Sequence, residues 1–226
     1  AGRGQILSMV GEPGMGKSRL VHEFTRHQLR PGWLVLEGAS VSYGKATPYF
    51  PLIELLRRYF AIADTDGRES IQAKIGERIL QLDEALQDAI PPVLALLGFL
   101  FDGAGQQESL AGRQDIAAAI KRFNAMDPQQ QRRHTFEALK RILIRESQRQ
   151  MLLLVFEDLH WIDTETQAFL DSLIESLPMT RILLLVDYRP ECSHAWGDKS
   201  YCTQLRVDPL QPTSAAKSKK MAKFRK

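Results

Sequence analysis

The sequence predicts an α/β fold: a doubly wound, mainly parallel five-stranded sheet with helices on both faces. Two observations predict it. Short apolar runs alternate with stretches of helical apolar spacing, an order typical of parallel sheets. Three of the runs are almost continuously apolar, as expected for strands buried on both faces. The expected strands are residues 5–10, 33–37, 151–156, 182–187 and about 204–208.

The first strand leads into a complete phosphate-binding loop. Residues 11–18 read Gly-Glu-Pro-Gly-Met-Gly-Lys-Ser, the pattern G-x-x-x-x-G-K-[ST], and helical spacing follows. The glycines let several backbone N–H groups face one anion, and the amino end of the next helix adds positive potential. Lys17 can reach the β- and γ-phosphates, and Ser18 can ligate Mg²⁺. These features predict a P-loop NTPase whose nucleotide-binding residues are Gly11, Glu12, Pro13, Gly14, Met15, Gly16, Lys17, Ser18 and Arg19.

One long stretch interrupts the alternation of strands and helices. Residues 49–150 contain no convincing strand, and apolar side chains such as Ile71, Ile75 and Ile79 recur at helical spacing. We therefore predict a helical insertion between the second and third core strands, packed against the sheet. Residues 102–127 have the weakest pattern, and we expect a loop there.

The third strand ends in two acids, Glu157 and Asp158, after the run Leu-Leu-Val-Phe. This matches the Walker B pattern, in which one carboxylate holds Mg²⁺ and a neighbour polarises the attacking water. By position Glu157 is the metal-side acid and Asp158 the catalytic one. Because Asp usually holds the first position, this division stays open. Ser18, Glu157 and Asp158 are the candidate metal ligands, and two exposed acids that cap a helix are the alternative.

Arg189 follows the fourth strand in the segment Val-Asp-Tyr-Arg-Pro. An arginine there can face the γ-phosphate and stabilise charge in the transition state, or report which nucleotide is bound. A surface arginine in a turn is the alternative. Together with Glu157 and Asp158, Arg189 completes the predicted catalytic set.

Between these segments, Asp163 is predicted to cap a helix that starts near Thr164. His160 and Trp161 either sense the γ-phosphate or pack beneath the site. We favour a structural role for His160.

Charge is distributed unevenly along the 226 residues, whose formal net charge is +3. Residues 213–226 hold six Lys and Arg and no acid, so residues 1–212 carry a net charge of −3. We interpret 1–212 as one ATPase domain and 213–226 as a disordered basic tail. The tail is either a solvated end, which we favour, or an electrostatic contact for nucleic acid or an anionic membrane.

No apolar run is long enough to span a bilayer, and the amino end lacks a signal-peptide layout, so we expect a cytoplasmic protein. Cys192 and Cys202 are then expected to be thiols. The first strand begins so near the start of the sequence that we expect a fragment or an excised domain.

Three segments together resemble the STAND-class signalling ATPases: the phosphate loop, Val-Phe-Glu-Asp-Leu-His-Trp-Ile-Asp and Asp-Tyr-Arg-Pro-Glu. In particular, residues 4–212 are similar to the AAA-like ATPase domain that bacteria attach to class III adenylate/guanylate cyclases, often before tetratricopeptide repeats. Large LuxR-type regulators carry similar modules. The resemblance implies ATP and Mg²⁺ as ligands, slow turnover, and control of attached signalling domains, with Arg189 as the sensor. The cyclase and the repeats are not in this sequence.

Three functions stay open from the sequence. The first is a regulatory ATPase that hydrolyses Mg·ATP slowly. The second is a nucleotide-binding module without hydrolysis. The third is a nucleotide-dependent, DNA-associated regulator, with the basic tail as its contact.

Overall fold

A computed structural model describes residues 2–28, 31–40, 47–100, 114–192 and 194–208. Five strands form one sheet: β1 (Gln5–Val10), β2 (Trp33–Ala39), β3 (Met151–Glu157), β4 (Ile182–Tyr188) and β5 (Cys202–Arg206). Their order is β2-β3-β4-β1-β5, and every pairing is parallel. The predicted α/β sheet is confirmed. Strand β5 begins and ends two residues earlier than expected.

Helices occupy the connections between the strands. The described α-helices are α1 (Lys17–Glu23), α2 (Phe50–Tyr59), α3 (Arg68–Leu82), α4 (Ile90–Leu96), α5 (Gln114–Asn124), α6 (Pro128–Arg149) and α7 (Thr164–Ser176). A π-helical segment (Phe24–Gln28) continues α1, and short 3-10 helices lie at Glu84–Ala89, Leu159–Trp161 and Leu177–Met179. Helices α2 to α6 lie between β2 and β3, which confirms the predicted helical insertion.

Helix α5 lies within the stretch that we expected to be a loop. Its side chains Ile116, Ala119 and Phe123 are buried at helical spacing, and Ile116 joins the large core. Burial of this apolar stripe stabilises a helix whose sequence pattern is weak, because tertiary packing supplies most helical stability in proteins. Residues 101–113 of that stretch and the basic tail lie outside the described residues.

The sheet has an apolar core on each face. On one face, strand side chains such as Leu154 and Val186 join buried residues of α2 to α7 in one large cluster. On the other face, Val155 and Leu185 form a smaller cluster with Val21 of α1. Because successive strand side chains alternate between faces, the acids at the ends of β3 and β4, Glu157 and Asp187, lie on the α1 face.

The parallel register brings the carboxyl ends of the strands to one edge. Ala39 pairs with Glu157, Phe156 with Val186, and Met9 with Asp187. Strand β4 lies between β1 and β3. The segments that follow these three strands therefore emerge side by side.

The described residues include no helix with both the length and the apolar character needed to cross a membrane. Cys192 and Cys202 are free thiols.

Asp163 caps α7, as predicted, and also joins α7 to the helical insertion. Its Oδ1 accepts hydrogen bonds from the backbone N–H groups of Glu165 (3.1 Å), Thr166 (2.9 Å) and Tyr49 (2.9 Å). Its Oδ2 accepts the Thr166 hydroxyl at 2.6 Å. Because Tyr49 directly precedes α2, one buried carboxylate fixes the starts of two helices.

We expect the Asp163→Ala substitution to destabilise the protein by about 2 kcal/mol or more, since it removes a helix cap and leaves buried donors unpaired. The matched control is Asp127→Ala at the cap of α6, where the hydrogen bonds are exposed; we expect a loss of about 1 kcal/mol there. Urea unfolding of both variants measures the difference. Equal losses would contradict a joining role for Asp163.

Candidate nucleotide-binding site

The loop that follows β1 has the backbone geometry that its glycines allow. Gly14 and Gly16 have φ angles of 79° and 89°. This left-handed region is unfavourable for residues with a Cβ atom, so glycine is needed at both positions. Helix α1 begins at the next residue, Lys17. The predicted order of strand, glycine-rich turn and helix is therefore present.

Lys17 is held under this loop by two backbone carbonyls. Its side chain is buried, and its Nζ donates hydrogen bonds to the carbonyl oxygens of Gly11 (2.9 Å) and Glu12 (3.2 Å). These bonds use two of the three N–H donors of the ammonium group. The positive charge is thus fixed at the loop.

A cavity of about 350 Å³ lies beside the loop. It brings together the loop, one acid of the predicted pair and the predicted sensor arginine. Its lining residues are Pro13, Gly14, Gly16, Lys17, Ser18, Arg19, Asp158 and Arg189. Three of these side chains, Lys17, Arg19 and Arg189, carry positive charge.

Four of the residues predicted for the site are not part of this lining: Gly11, Glu12, Met15 and Glu157. Gly11 and Glu12 contribute the carbonyls that hold Lys17. The backbone N–H of Met15 donates to the Glu12 carbonyl at 3.4 Å, inside the loop. These three residues therefore shape the loop.

Glu157 lies on the α1 face, next to Ser18. Burial raises the pKa of its carboxyl, and a hydrogen bond from the Ser18 side chain opposes this shift. The negative charge of Asp158 raises the same pKa further. A hydroxyl and a carboxylate on the same side of the sheet are hard oxygen donors, which suit Mg²⁺.

Asp158 leaves β3 in an unusual backbone conformation. Its φ of 56° and ψ of 44° lie in the left-handed region, where few residues other than glycine are found. Its backbone N–H donates a 2.7 Å hydrogen bond to Oδ1 of Asp187. Its carboxylate is about half exposed and lines the cavity.

Asp187 is a site-adjacent acid that the sequence reasoning missed. Its side chain is fully buried, and within the described parts of the chain its Oδ2 has no hydrogen-bond partner. The pKa of this carboxyl is raised to about 6, mainly by burial and further by the charges of Asp158 and Glu157, while the Asp158 N–H and Lys17 oppose the shift. The sequence did contain a signal for Asp187: it is an acid at the end of an apolar strand, two residues before Arg189.

Arg189 reaches the cavity because β4 lies between β1 and β3. Its guanidinium lies 5.9 Å from the centre of the Trp161 ring, and its Nη1 lies 3.8 Å from Glu191 Oε1. The arginine is therefore supported on one side by an aromatic ring and by a carboxylate that remains partly exposed.

His160 lies behind the acidic pair. Its side chain is 8% exposed, and its Nδ1 lies 3.8 Å from Asp158 Oδ1, too far for a hydrogen bond. Burial, and then the positive charge of Arg189, lower the pKa of this imidazole. Both effects favour the neutral form of the imidazole.

The family of the chain follows from comparison with known proteins. A family model described as AAA ATPase domain matches residues 1–186. An uncharacterised protein of Rhizobium meliloti (strain 1021) is 24% identical over 210 residues, which is 93% of this chain. The chain spans only 19% of that relative's length.

The raised pKa of Asp187 predicts a pH-dependent stability. A carboxyl with a pKa of about 6 in the folded protein and about 3.9 in the unfolded chain stabilises the fold below pH 4. This contribution is lost as the pH rises through 6. The difference corresponds to about 3 kcal/mol. The amide of Asp187→Asn does not ionise, so the variant should gain about 2 kcal/mol of stability relative to wild type between pH 4 and pH 7.

Urea unfolding of both proteins at the two pH values measures this change. Asp64→Asn is the control, because that side chain is fully exposed. A difference between Asp187→Asn and wild type that stays constant with pH would contradict the prediction.

Proposed function

The chain belongs to the AAA ATPase domain family, and we propose that it binds Mg·ATP and hydrolyses it slowly, as a regulatory switch module of a larger protein. The observation that carries this proposal is the cavity beside the loop. Phosphate-loop residues, the acid Asp158 and the arginine Arg189 all line it.

Triphosphate binding follows from the charges around the cavity. The loop N–H groups and the side chains of Lys17 and Arg19 provide donors and positive charge for a polyanion. The third N–H of the Lys17 ammonium is available for a phosphate oxygen, while the other two hold the loop. The preference for adenine rests on resemblance.

Ser18 and Glu157 are the residues that we propose for Mg²⁺. The ion takes oxygen ligands and keeps several waters, so a hydroxyl and one carboxylate suit it. When bound, it neutralises charge on the β- and γ-phosphates. Glu157 is next to Ser18 and outside the cavity lining, whereas Asp158 faces the cavity. This difference supports a metal role for Glu157 and a catalytic role for Asp158.

In the proposed hydrolysis, Asp158 orients a water molecule and accepts its proton. The water oxygen forms a bond to the γ-phosphorus, while the bond between that phosphorus and the bridging oxygen of the β-phosphate breaks. Arg189 stabilises the negative charge on the γ-phosphate oxygens. The products are ADP and inorganic phosphate, and the proton passes from Asp158 to solvent.

The switch role rests on what lies next to the cavity. Arg189 contacts Trp161, which belongs to the short helix between Asp158 and the cap residue Asp163. Asp163 in turn holds the first residues of α7 and Tyr49 at the start of the helical insertion. A movement of Arg189 can therefore be transmitted through Trp161 and Asp163 to the starts of α2 and α7. The much greater length of the Rhizobium meliloti relative supports a module within a larger protein, and the resemblance suggests signalling domains as its attachments.

A non-hydrolysing nucleotide-binding module remains the second candidate. Asp158 is the one acid among the described residues of the cavity lining, and its carboxylate is partly exposed. Binding without turnover would favour this candidate.

For Lys17→Ala we expect at least a tenfold loss of ATP affinity, since about 1.4 kcal/mol corresponds to a factor of ten and a buried charge at the loop is removed. Isothermal titration with ATP, ADP and GTP, with and without Mg²⁺, measures this. Lys199→Ala is the control, because Lys199 pairs with Glu175 and is not part of the cavity. Wild-type affinity in Lys17→Ala would reject the proposed phosphate site.

For Arg189→Ala and Asp158→Asn we expect ATP affinity within about threefold of wild type and turnover reduced at least about tenfold, because both groups act on the reacting phosphate. Phosphate release under single-turnover conditions measures this. Tight binding by the wild type with release no faster than in Asp158→Asn would reject hydrolysis and favour the non-hydrolysing module.

A further inference from the structure

We propose that Asp187 is a positioning residue: by accepting a hydrogen bond from the Asp158 backbone N–H, it fixes the turn that directs the Asp158 carboxylate into the cavity. The expected effect of Asp187 on turnover rests on the proposed hydrolysis, whereas the hydrogen bond to Asp158 is independent of it.

The turn at Asp158 needs such a support. A residue with a Cβ in the left-handed region costs about 1–2 kcal/mol. A hydrogen bond to a charged acceptor contributes about 1.5–3 kcal/mol, which is enough to offset that cost. The 2.7 Å bond from Asp158 N–H to Asp187 Oδ1 has this character, and its acceptor residue is fully buried.

The sheet register explains why a side chain makes this bond. The pairing between β3 and β4 ends at Phe156 and Val186. The Asp158 N–H lies beyond that last pair. Asp187, the next residue of β4, uses its carboxylate to bond the strand that has just left the ladder.

The Asp158 carboxylate depends on its backbone for its direction. Among the described residues, the titratable side chain paired with it is that of His160, whose Nδ1 lies 3.8 Å from Asp158 Oδ1, longer than a hydrogen bond. The Asp158 carbonyl accepts the Trp161 N–H at 2.8 Å, so the turn is fixed on its far side as well. If the bond to Asp187 is lost, the backbone N–H of Asp158 is no longer held and the turn can change its conformation there.

Asp187 occupies a position where an acid reduces the stability of the fold. Asp187 is fully buried, lies near two other acids, and has one oxygen without a hydrogen-bond partner in the described chain. An unpaired buried polar atom costs about 1–3 kcal/mol, and an apolar strand residue would avoid it. Costs of this kind that persist beside a cavity are typical of functional positions.

The test is a double-mutant cycle between Asp187 and Asp158. We expect Asp187→Ala to lower kcat about tenfold or more while the ATP dissociation constant stays within about threefold. Asp187→Asn retains an oxygen that can accept the bond, so it should keep most of the turnover. In an Asp158→Asn background, Asp187→Ala should cause no further loss.

Val186→Ala is the matched control, because it opens a cavity in the same buried strand on the opposite face. It should lower stability and leave kcat unchanged. If Asp187→Ala does not fold, Asp187→Val takes its place, since valine suits a buried strand.

A second measurement is independent of hydrolysis. The NMR signal of the Asp158 amide proton should move upfield in Asp187→Ala and stay near its wild-type position in Asp187→Asn. Equal kcat losses in both backgrounds, or an unmoved amide signal, would overturn the proposal. If the wild type shows no turnover, the proposed hydrolysis fails, and the amide signal still decides whether Asp187 holds Asp158.

Discussion

The parallel alignment of β1, β4 and β3 is the constraint on which the site depends. It sends the phosphate loop, Arg189 and Asp158 out of one sheet edge, although more than a hundred residues separate the loop from the other two. None of the described helices of the insertion contributes to the cavity lining. The insertion instead covers one face of the sheet with an apolar core, while α1 covers the other. The site is thus built from loops and the first turn of α1, carried on a packed sheet, an arrangement that is common where chemistry occurs.

Like charges are crowded at this edge, and they raise the pKa values of their neighbours. Glu157 and Asp187 both have raised pKa values, for which burial is the main cause and neighbouring acids a further one. Lys17 opposes the shift at Asp187. A triphosphate would add negative charge beside these acids, so a cation that accompanies the nucleotide relieves repulsion as well as binding phosphate.

The sequence was most informative where function depends on short, contiguous segments. Gly14, Gly16 and Lys17 form a loop whose conformation and charge follow from their own chemistry, and the apolar run before Glu157 predicts β3. Helix α5 was missed because its apolar stripe is short and gains stability only from packing. Asp187 was missed for a related reason: its role depends on which strand lies beside β4 and in what register, and pairing between distant segments leaves no local pattern. The proposed chemical roles of Asp158 and Arg189 are still predictions.

The lysine of the loop already has oxygen partners inside its own chain. Because two of the three Lys17 donors are bonded to the carbonyls of Gly11 and Glu12, an arriving phosphate oxygen meets one remaining N–H donor. A single contact of this kind contributes little affinity on its own. A small monoanion that contacts only this donor therefore gains little, whereas an extended polyanion reaches the loop and Arg19 together. The loop therefore selects its ligand by size and charge.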